Sequence, residues 1–327
     1  MVRSKQTLFH ALFWITLFFT VLPPAAIAIS GFHVAYSKIV YLIGILGVSH
    51  VGMTAFFFVG DRRYKEIIRS EPQRYILAPI ALTLFAFVVF TYWPKGFWPY
   101  FAVHYAWLLW HFGRQNFGIY AFLSASNRSG AVSVLERNYF SLLPIAAIPK
   151  ALVLYPQIGL TPAAARVAEF SSFALTAACF VIAVIIALRV RHDRQRVIAI
   201  CMGLLFFLPT IASSNPLVAT AFYAHPVQYI VMMAYLAGDK KQGPVGYRLG
   251  VLTAAGLGLW VALTYLSGSY GLAFLALTYG LTQAHFVVDA GLWKMKQPKQ
   301  RAAILDSYDF LFSNPSYSQS GMDSRSN

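Results

Sequence analysis

Five of the eight histidines, His50, His104, His111, His225 and His285, lie inside long apolar stretches of the chain. Neutral imidazole is the commonest metal ligand among side chains. An ionisable group at membrane depth is costly, turns toward the protein interior and tends to be functional. His285 and Asp289 are four apart, so on a helix they share one face and can meet the same ion. His111 and Gln115 have the same spacing. His104 and His111, seven apart, also share a face but stand about 10 Å apart along a helix axis. The expected ligands are therefore His50, His111, His225, His285 and Asp289. His104 is expected nearby, as a support for them, a ligand to a second ion or an entrance group. Arg114, Gln115, Asn116 and Gln228 are the candidates to hold a substrate or orient the ligands. Arg114 is expected to point inward beside His111, with Glu169 as one partner. Pro226 follows His225 directly and can bend the chain there. No single residue is assigned as catalytic.

Each of these residues also has an ordinary reading. A single histidine in a membrane helix commonly serves as an interhelical hydrogen-bonding group, and Gln and Asn do the same. What favours a shared site is convergence. His50, His111 and His225 fall near the middle of their segments, with His285 somewhat nearer the inner end.

The elements that must position them are transmembrane helices. The chain is 58% hydrophobic and 11% charged, against about 25% charged in an ordinary soluble domain. A helix needs about 20 apolar residues to cross the hydrocarbon. Ten such segments are predicted, over 8–30, 36–60, 75–92, 97–123, 139–156, 166–188, 197–213, 216–237, 249–267 and 270–293. This is an all-α helical bundle. The first segment is too long for a typical cleaved signal and is expected to stay as a span. With the N-terminus in the cytoplasm, every Lys and Arg except Lys38, Lys95, Arg114, Lys150 and Arg166 falls in an inner loop or at an inner terminus. That bias predicts a multi-pass chain with both termini in the cytoplasm; the expected location is a bacterial inner membrane. The histidine-bearing segments then all run from outside to inside. Residues 1–297 form the membrane domain, and 298–327, polar and Ser-rich, are expected to be a flexible tail.

The charge of +15 sits in short blocks between apolar runs, which fits contact with anionic lipid and argues against nucleic acid. Cys179 and Cys201 have neither metal-type nor disulfide spacing. No nucleotide-binding motif and no internal repeat is present, so neither ATP-driven work nor an inverted-repeat transporter gains support.

The scattered intramembrane histidines of a polytopic chain resemble those of the histidine-rich membrane oxygenases. That class includes desaturases, hydroxylases and the bacterial β-carotene cleavage family. The segment His285-Phe286-Val287-Val288-Asp289-Ala290-Gly291-Leu292-Trp293-Lys294 resembles a terminal motif of bacterial membrane proteins labelled carotene oxygenases. The paired histidine boxes of the desaturases are absent. The resemblance implies a metal-dependent oxidoreductase, with non-haem iron, an apolar lipid or isoprenoid substrate and an electron donor. Histidine with carboxylate suits iron, while zinc and copper fit the same donors. Two other readings use the same residues: a haem-b electron carrier with axial histidines, and a transporter for a metal or a proton.

Overall fold

A computed structural model of the 327-residue chain describes residues 5–30, 45–127, 131–214, 224–239, 241, 243–269 and 271–312. Among these, 89% are helical and none is in a strand. Where they are described, the segments expected from hydropathy coincide largely with helices, with breaks at Thr54–Ala55 and Leu154–Tyr155. We number them α1 (Lys5–Ser30), α2 (Ile45–Val59), α3 (Arg62–Ser70), α4 (Gln73–Tyr92), α5 (Phe97–Asn127), α6 (Val134–Val153), α7 (Pro162–Arg189), α8 (Arg194–Ala212), α9 (Ala224–Ala237), α10 (Val245–Ser269), α11 (Gly271–Leu292), α12 (Pro298–Ser307) and α13 (Asp309–Phe312). The early part of the second expected span and of the eighth, together with residues 313–327, lie outside the described residues.

Among the described residues, four helices are long and apolar enough to cross a membrane: α4, α7, α8 and Val245–Leu266 of α10. Their outer faces carry large exposed side chains, such as Leu84 and Val88 on α4 and Phe170, Phe173 and Phe180 on α7. Water would not tolerate such a belt, whereas hydrocarbon would.

Local chemistry sets the helix ends. Asp61 caps α3, its carboxylate accepting from Arg63 N. Ser133 and Glu136 form a capping box at α6. Thr161 caps α7 with Pro162 in its first turn. Pro144 and Pro149, which disfavour helix in the fifth expected segment, lie inside an uninterrupted α6. The packing of α6 against α5, α7 and α8 outweighs the propensity cost.

Two glycines permit close helix contacts. A Cβ on Gly280 of α11 would stand 2.6 Å from Thr83 Cα of α4, and one on Gly52 of α2 would stand 2.5 Å from Ala255 O of α10. Gly280→Leu must force α4 and α11 apart and is expected to cost about 1–3 kcal/mol, read as a lower thermal midpoint in detergent. Gly47→Ala, whose Cβ meets open space, should leave the midpoint unchanged or raise it.

Ionic contacts join the loops in two clusters. Arg63 and Arg248 share the buried Asp61, at 2.6 and 2.8 Å. Arg63 also reaches Asp239 at 3.3 Å and Asp306 at 2.6 Å. Arg196 pairs with Glu136, which also accepts from Tyr120. Every partner in both clusters comes from a segment assigned to the cytoplasmic face by its charge, or from its immediate flank. Lys241 donates to Asp309 at 2.7 Å; this bond, with Asp306 close by, holds its ammonium above the ordinary lysine range.

The expectation of a flexible tail does not hold for residues 298–312. Helices α12 and α13 bury Ala303, Ile304, Tyr308 and Leu311, and Tyr308 donates to Met232 O at 2.7 Å. A composition rich in polar residues hid an apolar face repeating at helical spacing.

Candidate metal centre

Helices α2, α5, α9 and α11 each bring one histidine to a common interior point. His50, His111, His225 and His285 are all buried, as is Asp289. The ring centroids of neighbouring imidazoles lie 4.8 Å apart for His50 and His285, 4.9 Å for His50 and His225, 5.0 Å for His111 and His225, and 5.2 Å for His111 and His285. The four rings thus close into a quadrilateral. Two overlapping donor sets arise, His50–His225–His285 and His111–His285–Asp289. Within each, one ligand atom per residue lies within 4.8 Å of the others. His285 belongs to both.

The spacing suits a small ion. First-row metals hold imidazole nitrogen at about 2.0–2.1 Å, so adjacent donors around one ion stand about 3.0–3.4 Å apart. His50 Nε2 and His225 Nε2 are 3.2 Å apart. Without an ion this contact is an imidazole–imidazole hydrogen bond. His285 Nε2 lies 3.7 Å from Asp289 Oδ2. His111 Nε2 and His285 Nε2 are buried with no hydrogen-bond partner among the described residues. Such groups are costly unless something else satisfies them. Four neutral imidazoles and one carboxylate carry a single negative charge, which a bound cation would offset.

Aromatic walls fix the rings. Phe286 stacks on His111 at 4.5 Å, and Phe112 lies 4.3 Å from the ring of His225. Each phenylalanine directly follows a site histidine in the sequence. Gln115 Nε2 donates to His225 O at 3.2 Å and to Gln228 Oε1 at 3.1 Å. Gln228 in turn donates to Thr16 Oγ1 of α1 at 2.6 Å. These amides tie α1, α5 and α9 together beside the histidines.

Three expected residues are placed elsewhere. His104 occupies an aromatic box, 4.5 Å from Tyr279, 6.4 Å from Tyr100 and 6.0 Å from Phe286. Phe286 separates it from His111, so it belongs to neither donor set. Asn116 bonds back to Phe112 O on its own helix at 2.9 Å. Arg114 does not point inward: it is exposed, and its guanidinium lies over Phe117 at 5.1 Å. Glu169, expected as one partner for it, is bound by Lys150 at 2.5 Å. Arg114 directly follows Gly113, which packs against Pro144 of α6. The 100° step per residue carries Arg114 off the face that His111 and Gln115 share.

Thr54 and Tyr229 are site residues that the sequence reading passed over. Thr54 Oγ1 is 2.6 Å from His285 Nδ1 and 3.3 Å from Tyr229 OH. Tyr229 OH donates to Asp289 Oδ1 at 3.0 Å. The signal that would have found them is a repeated spacing. His50–Thr54, His111–Gln115, His225–Tyr229 and His285–Asp289 are all i,i+4 pairs, so each helix sets a polar group one turn from its histidine.

No family model matches the chain, and no curated protein or solved structure matches it. The functional reading therefore stands on the residues and their geometry.

Proposed function

We propose that the chain is a ten-span protein of a bacterial inner membrane, with both termini in the cytoplasm. In this reading His50, His111, His225, His285 and Asp289 hold a metal ion that serves an oxidoreductase reaction on an apolar lipid or isoprenoid. The observation that carries the proposal is the convergence of four buried imidazoles and one carboxylate from four helices. Two observations support the topology. The expected apolar segments are largely helical where described, and the ionic clusters join loops that the charge bias assigns to one face.

Iron is the ion we favour, because histidine with carboxylate is the donor set of non-haem iron sites. Bound there, it would supply oxygen activation, with an electron donor completing an oxygenase, hydroxylase or desaturase reaction. The chain's own part is to hold the donors, align them through Thr54, Tyr229 and Gln115, and exclude water with Phe112 and Phe286. The geometry weighs against haem b. Haem needs two imidazoles opposed across a flat macrocycle, whereas His111 and His285 stand beside the close His50–His225 pair. A transporter would use the same histidines in passing, and would show metal or proton flux without turnover.

The test is metal analysis and a visible spectrum of protein purified in mild detergent, followed by dioxygen uptake with lipid extracts. The expected result is bound iron, no haem absorption band and lipid-dependent uptake. A haem band, or no metal after loading, contradicts the reading. For topology, cysteine labelling should place Arg194 and Ser214 on opposite sides of the membrane; finding them on one side removes α8 as a span.

A further inference from the structure

The polar groups one turn below the imidazoles form a directed chain. With Asp289 a carboxylate, it can only accept hydrogen bonds, so the single phenolic proton of Tyr229 is donated to its Oδ1, 3.0 Å away. Tyr229 then has only its oxygen to offer Thr54, and accepts the Thr54 hydroxyl proton across 3.3 Å. Thr54 Oγ1, its proton spent, accepts from His285 Nδ1 at 2.6 Å. His285 is left with a proton on Nδ1 and a lone pair on Nε2, the nitrogen that has no hydrogen-bond partner.

We propose that Tyr229 and Thr54 are positioning residues that fix the His285 tautomer and thereby restrict the centre to one metal ion. The proposal rests on the metal-centre reading above. The two donor sets share His285. A two-ion centre built on these sets would need His285 to serve both ions through its two ring nitrogens, since Asp289 belongs to one set alone. The Thr54 bond takes Nδ1. Denied that bridge, a second ion would be left with two donors. The cluster therefore serves a single ion. Ligating histidines characteristically donate their other ring N–H to such a partner, and loss of the partner typically costs 10–100-fold in metal affinity.

The experiment titrates Co(II) into metal-free full-length protein in detergent, reading visible ligand-field absorption and bound cobalt per chain. One equivalent is expected for the unaltered chain. Tyr229→Phe and Thr54→Val should each weaken Co(II) by about 10–100-fold and alter the absorption. The double variant should lose little more than the worse single one, because the two act in series. Thr54→Ser keeps the hydroxyl and should restore affinity, which separates the relay from a packing defect. Two equivalents in the unaltered protein, or variants with unchanged affinity and spectrum, overturn this proposal and leave the metal centre standing. No cobalt binding by the unaltered protein overturns the centre and this inference together.

Discussion

Replacing His285 with alanine is expected to abolish tight metal binding, the largest single effect at the site. His285 is the one residue common to both donor sets, and its removal leaves His50–His225 and His111–Asp289 as separate pairs. His50→Ala, by contrast, spares the set of His111, His285 and Asp289. The readout is metal-induced thermal stabilisation. A ligand at 100 times its dissociation constant stabilises the folded state by about 2.7 kcal/mol. The unaltered protein should show an upward shift of that order when iron or cobalt is added, the His50 variant a reduced one, and the His285 variant none. A His285→Ala protein with the full shift would place the ion elsewhere.

Asp61→Asn is expected to have the largest effect on stability. The carboxylate of Asp61 is buried between Arg248, itself buried, and Arg63. Asparagine keeps the volume and can still cap α3, so the substitution removes the charge alone. Arg248 would then lose its paired carboxylate while keeping the backbone acceptors Asp239 O at 2.7 Å and Gly60 O at 3.4 Å. Leaving a buried charge uncompensated costs about 3–5 kcal/mol. Asp306→Asn breaks an equally short contact to Arg63, but Asp306 is 42% exposed. Solvent screening should hold that cost to about 1 kcal/mol or less. Thermal midpoints of the two variants in the same detergent check the ordering; equal midpoints would contradict it.

The fold was legible because hydrophobic runs of membrane length leave few alternatives to helix. The site was legible for a related reason. Imidazoles deep in apolar segments must turn inward, and four such segments offer few meeting points. His104 shows where that logic runs out. Its sequence context matches that of His111, but two turns of helix carry it to a different layer, among Tyr100, Tyr279 and Phe286. Arg114 shows a second limit. Inward placement was inferred from its charge alone, whereas the step from His111 to Arg114 had already moved it off the shared face. Thr54 and Tyr229 were passed over because neither is ionisable in the ordinary range, although their spacing from the histidines marked them. The packed face of α12 was masked by composition, since a helix can be polar on average and still bury Ile304 and Tyr308.

The most direct test of the central claim is X-ray absorption at the metal edge of the metal-loaded, detergent-purified protein. A first coordination sphere of nitrogen and oxygen at about 2.0–2.2 Å, with the outer-sphere scattering of several imidazoles, is the expected result. That outer scattering should weaken in His50→Ala protein, which keeps the set of His111, His285 and Asp289. A sphere containing sulfur, or one without imidazole scattering, would contradict the account.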